Sequence, residues 1–237
     1  MVVLSVIVVA GVVAGVVIAS RKSGPKAPAT GSSQSPSTIA GHPETVAQLR
    51  TQYLRYINAY ADAQTQVSQK LAPISTDIAK QQQRAKNDAA TYAADKAGAG
   101  CKVNTADPSA SSACVGQEAQ SATNAQNDEA AANTRLAADR MKSVAVGRIG
   151  SNNVNTFVQR LNSIPWTGDL KADAEKLVTG LVQYRAEFDR ELTALSKNHT
   201  AAVNADASKA TVFFTQTQNA TQALNTALGV PPPPAES

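Results

Sequence analysis

A seam of residues at alternating steps of four and three runs through the chain: Tyr53, Ile57, Tyr60, Gln64, Val67, Leu71, Ile74, Ile78, Gln81, Ala85, Asp88 and Tyr92. Only a helix places residues at that spacing along one side, and a seam this long needs another helix to cover it. A chain that carries it is committed to helix-on-helix packing. Pro43 and Glu44 suit the first turn, because proline has no amide hydrogen to leave unpaired and a carboxylate favours the positive helix end. Gly98 and Gly100 close the segment. Pro73 inside the seam predicts a kink or one interrupted hydrogen bond.

The rest of the body shows the same period. After Gly116 an Ala-, Asn- and Gln-rich stretch reaches Leu136 and becomes more apolar through Met141, Val144, Val146 and Ile149. Gly147 and Gly150 predict a break or bend there. Val154, Phe157, Val158, Leu161 and Ile164 continue at helical spacing to a turn at Pro165-Trp166-Thr167-Gly168. Leu170, Ala174, Leu177, Leu181, Tyr184, Phe188, Leu192 and Leu195 then open a last segment, which reads as one helix through Val203, Phe213, Leu224 and Leu228 to Gly229. The expected fold is therefore all-α: an elongated, antiparallel, coiled-coil-like bundle of three long helices over residues 43–229. Large apolar side chains gather at one end of it, and alanine at the other.

Cys101 and Cys114 bracket a polar stretch with turn chemistry in Asn104, Asp107-Pro108 and several serines. A disulfide there would staple the tip joining two antiparallel helices, worth on the order of 3 kcal/mol for a loop of this size. Two unrelated buried thiols or a metal half-site fit less well, since the loop is polar and has no histidine nearby. Disulfides persist outside the cytosol, which points to an extracytoplasmic body.

Val2 to Ala19 is apolar except for Ser5. As a helix it would be roughly 27 Å long, close to the hydrocarbon thickness of a bilayer. Residues 1–19 therefore read as a transmembrane helix or uncleaved signal anchor, despite their many valines, because lipid forces the backbone to satisfy its own hydrogen bonds. Gly11, Gly15 and Ala19 form a row of small residues that would let two such helices pack closely as a homodimer. The alternative is a cleaved signal peptide and a secreted body, with Ala27-Pro28-Ala29 as the cleavage signal. Arg21, Lys22 and Lys26 all flank the segment on its C-terminal side, and the positive-inside rule taken alone would put the body in the cytoplasm. The cysteine pair argues for the outside, and that is the orientation expected here. Residues 20–42 are rich in Ser, Pro, Gly and Thr and read as a flexible linker that ends near His42. Residues 230–237 are a Pro-rich tail.

Charge removes one function class. Beyond residue 29 the body carries 19 basic against 18 acidic side chains, so no basic stripe is available for nucleic acid. Chemistry also finds little to work with. The chain has two histidines and two cysteines, and lacks the spacings of zinc, calcium or phosphate-loop sites, so no metal or other cofactor is expected. Glu187, Asp189 and Glu191, flanked by Arg185 and Arg190, read as a solvated helix surface. No placed base serves a Ser or Thr nucleophile, so the expectation is not an enzyme.

The Trp166-Thr167-Gly168 turn is similar to the W-x-G of small secreted helical-hairpin proteins, but Tyr184 is followed four residues later by Phe188 where that family has an acid. Ile164-Pro165-Trp166, followed by Asp169-Leu170-Lys171-Ala172-Asp173-Ala174 and a leucine-spaced helix, resembles uncharacterised membrane-anchored or secreted extracytoplasmic helical proteins of actinobacteria. That resemblance implies a compartment and no activity. The expected function is a non-enzymatic, membrane-anchored bundle with a structural or interaction role toward an envelope protein partner. The alternative is a ligand-sensing or carrier bundle with a small-molecule pocket among Tyr53, Tyr56, Tyr60 and Trp166, residues that otherwise fill the core.

Overall fold

The computed structural model describes residues 45–97, 101 and 108–230. The described residues form four α-helices, and no strand is found among them: α1 (Val46–Lys96), α2 (Pro108–Asn162), α3 (Gly168–Ser196) and α4 (Thr200–Ala227). The all-α expectation holds. The helix count changes from three to four, because the last segment is two helices rather than one.

The break lies at Lys197-Asn198-His199. Asn198 has φ 57°, a left-handed conformation that asparagine tolerates better than other residues with a Cβ. The amide of His199 donates to the carbonyl of Ala194 (3.0 Å) and that of Asn198 to Leu195 (3.1 Å). This paired closure satisfies the orphan carbonyls at the end of α3 and turns the chain. Gly229 ends α4 in the same way, with φ 66° and amide bonds from Gly229 to Thr226 and from Val230 to Asn225.

The chain divides into two compact units, one of residues 1–70 and 146–237 and the other of residues 71–145. In the first unit, the N-terminal half of α1, the C-terminal end of α2, and the whole of α3 and α4 pack around a common interior. Tyr53, Ile57, Tyr60, Val154, Phe157, Leu161, Leu177, Leu181, Tyr184, Leu192, Val203, Phe214 and Leu224 are all buried. The heptad positions named for α3 are all enclosed, whereas in α4 Phe214 goes inside and Phe213 is half-buried. Arg50 Nη1 reaches the carbonyl of Gly229 at 3.4 Å, which links the start of α1 to the end of α4.

Gly147 and Gly150 do not break α2, which runs through both. They are places of close approach. A Cβ on Gly147 would stand 2.5 Å from Leu192 Cδ2, and one on Gly150 would lie 3.5 Å from Val67 and 3.6 Å from Gln64 Oε1. Gln64 Nε2 donates to the carbonyl of Gly150 at 3.2 Å. Glycine therefore serves helix packing at Gly147, where contact offsets a propensity cost of about 1 kcal/mol, whereas at Gly150 a Cβ would make ordinary contacts.

The second unit takes the C-terminal half of α1 and the N-terminal two-thirds of α2, with Leu71, Ile78, Ala122, Ala125, Ala132, Leu136 and Val144 as its apolar interior. It is alanine-packed, as the composition suggested. α1 continues through Pro73 without interruption. Met141 and Ile149, counted above among the apolar residues of the second helix, are 53% and 44% exposed. Val144 of the same run is buried, and Asp139, Ser143, Gly147 and Gly150 also face inward at helical spacing but without apolar bulk.

Among the described residues no helix is long and apolar enough to cross a membrane. The proposed transmembrane segment, its Gly11, Gly15 and Ala19 row, the 20–42 linker and the proline run 231–234 lie outside the described residues.

Candidate functional site

The four aromatic residues singled out from the sequence do not converge on one pocket. Tyr53 is enclosed edge-on against Trp166, with ring centroids 6.2 Å apart. Trp166 Nε1 donates to the carbonyl of Leu161 at 2.9 Å, so the indole caps the end of α2 and fixes the turn into α3. Tyr56 is half-buried under the guanidinium of Arg160, 5.7 Å from its ring centroid. Tyr60 stacks on Phe157 at 4.6 Å. All four pack or cap, and Tyr60 also borders a cavity.

That cavity lies inside the first unit and has a volume of about 40 Å³. Ile57 and Tyr60 of α1, Phe157 of α2, Leu181 and Tyr184 of α3, and Phe214 of α4 supply its apolar wall. Thr217 and Thr221 also line it, but each hydroxyl is tied to its own helix, donating to the carbonyls of Phe213 (2.8 Å) and Thr217 (2.9 Å). The hydroxyl of Tyr60 is enclosed, with Gln64 beside it but no well-formed hydrogen bond. Burial pushes the phenols of Tyr53 and Tyr60 up beyond their ordinary range. Tyr184 is raised by burial and then by the neighbouring Tyr60 and Glu191. None of these phenols serves as a base, since the neutral form is held so firmly. The space suits a few apolar atoms.

The acidic residues of α3 depart from the sequence reading. Glu187 and Glu191, taken there as part of a solvated surface, face inward at 8% and 0% exposure. They are four residues apart and share a helix face, whereas Asp189 between them does not. Glu187 pairs with Arg190. Neither carboxylate oxygen of Glu191 has a hydrogen-bond partner. Arg185 is likewise no solvated flank: it donates to Ser151 Oγ (3.1 Å) and Asn155 Oδ1 (2.6 Å) of α2 and faces Asp189 at 3.6 Å. A four-residue step inside the acidic cluster was the available signal for its inward side.

In the second unit Cys101 and Cys114 form the expected disulfide, with Cα atoms 5.8 Å apart. Glu118 lies one turn beyond Cys114, and its carboxylate and the two sulfurs fall within 4.8 Å of one another. With both sulfurs committed to the bridge, neither is a thiolate ligand for a metal ion. His199 is exposed on the α3–α4 turn, and His42 lies outside the described residues. No protein-family model, no curated protein and no solved structure matches this chain, so its reading rests on its own geometry.

Proposed function

We propose that this chain is a non-enzymatic helical-bundle module with a structural or protein-interaction role, anchored to the cell membrane by residues 1–19 with its body outside the cytoplasm. The observation that carries the reading is the disulfide-closed hairpin of the second unit. There a covalent bridge reinforces a pair of helices whose buried residues between Ala122 and Ala132 are alanines and whose Asn, Gln and Ser side chains are mostly exposed. A hairpin built this way presents a polar surface, which suits contact with an envelope protein. The bridge also favours an oxidising compartment. The small-residue row Gly11, Gly15 and Ala19 supplies a homodimer contact within the membrane.

Site-specific photo-crosslinking in intact cells tests the role. Probes at the exposed Gln126 and Asn133 should give one defined adduct, and probes at exposed Val182 should give none. Equal or absent labelling from both units would remove the reading. Thiol labelling before and after reduction tests the compartment, since two free thiols in the native cell place the body in the cytoplasm.

One observation favours a second reading, that of a small-ligand carrier or sensor: a mostly apolar cavity wall contributed by four helices, Tyr60 among its residues. A panel of short-chain alcohols and small aromatics in a thermal-shift assay separates the two. A ligand that raises the melting point supports the cavity, and no shift across the panel leaves the interaction module.

A further inference from the structure

Glu191 is fully enclosed five residues before the end of α3, and both of its carboxylate oxygens lack partners. An ionised carboxylate in that position would lose its hydration without any compensating bond. The groups around it offer no relief. On its own helix, Glu187 lies one turn earlier with one oxygen also unpartnered, and the phenol of Tyr184 is itself neutral. From α4 the charged neighbour is Asp206, which is repulsive. Where α2 and α1 meet the residues flanking it on α3, Gly147 faces Leu192, Gly150 faces Phe188, and Gln64 and Val67 close on Gly150. None of these residues ionises. The nearest cations along α3 are committed elsewhere, Arg190 to Glu187 and Arg185 to Ser151, Asn155 and Asp189.

We propose that Glu191 is a proton-operated latch for the α3–α4 corner: the neutral acid permits the first turns of α4 to close over the end of α3, and the carboxylate opens that corner to reach water. The corner is a natural hinge, because the chain reverses there through the left-handed Asn198. Opening would bare Leu195 and Val203, which are buried in the closed form. The latch stands independently of the function proposed above.

Burial first, and Asp206 second, push the Glu191 carboxyl from 4.5 up to about 7. An open, hydrated Glu191 titrates near the ordinary value. The closed corner therefore holds its proton between those two limits, and the open form gains as pH rises through them. Closure is strongest below pH 4.5, weakens steadily toward pH 7 and is weakest above it.

Hydrogen exchange on the full chain, corrected for intrinsic rate, is the test. Linkage gives roughly a 30-fold rise in opening of residues 192–210 between pH about 5.5 and about 8. Residues 120–140 of the second unit should change little over the same range. Glu191→Gln should abolish the pH dependence and keep the corner closed at the higher pH. A carboxyl-carbon NMR titration of wild-type Glu191 gives a second readout that does not depend on the variant folding. A midpoint near 7 supports the latch. A midpoint near the ordinary value, flat exchange across the range, or the same pH dependence in Glu191→Gln would overturn it.

Discussion

Leu192 Cδ2 of α3 lies 2.5 Å from the position that a Cβ on Gly147 of α2 would occupy. The two helices meet at a distance that only glycine permits, and Leu192, at 2% exposure, has little room to withdraw. Gly147→Ala should therefore destabilise the protein by about 1–2 kcal/mol, since overpacking outweighs the gain in helix propensity. Gly116, also on α2, has nothing within 4 Å of such an atom. Gly116→Ala should stabilise by up to about 1 kcal/mol. Thermal melts of the two variants should shift in opposite directions.

The Cys101–Cys114 bridge closes a loop with a sequence separation of 13. Double replacement by serine should cost on the order of 3 kcal/mol, mainly by releasing entropy in the opened chain. The loss should appear in the second unit, where the alanine interior gives little burial to resist it. Hydrogen exchange should accelerate through residues 85–97 and 114–130 and leave Leu177 to Leu192 protected. Uniform acceleration of the whole chain would contradict a hairpin with its own separate stability.

Asn198 holds a left-handed conformation at the junction of α3 and α4. Asn198→Val should destabilise by about 1–2 kcal/mol, because a β-branched side chain meets the carbonyl there. Asn198→Gly should be tolerated. If the two variants melt alike, the paired amide closure is not what ends α3.

Tyr60 presents an enclosed hydroxyl with Gln64 beside it but no well-formed hydrogen bond. Removing it as Tyr60→Phe should stabilise by up to about 1 kcal/mol, the reverse of the usual loss when a bonded tyrosine is truncated. The stack on Phe157 should survive. A loss of stability would mean that the hydroxyl is satisfied in solution, by Gln64 or by a polar occupant of the cavity.

Where apolar side chains mark the inward face, the fold is legible from sequence alone. The α1 seam from Tyr53 to Tyr92 is buried or half-buried at every position named from its period, and the Leu170 to Leu195 face of α3 is buried at each. Legibility fails where the inward residues are small or polar. Asp139, Ser143, Gly147 and Gly150 carry α2 into the interior without bulk. Met141 and Ile149 beside them drew attention and remain exposed. Glu191 was hidden for the same reason, since its charge suggested solvent while its spacing from Glu187 and Leu195 placed it on the packed face.

The sequence by itself determined helix, helix period and the staple at Cys101 and Cys114, because backbone periodicity and loop chemistry are local. Only the tertiary structure decided that the last segment folds back at Asn198, that four helices rather than three enclose the cavity, and that Glu191 goes inside. Each of these depends on which surfaces meet. A single turn residue with little local signal reverses the direction of α4, and the burial of a charged side chain is set by neighbours distant along the chain.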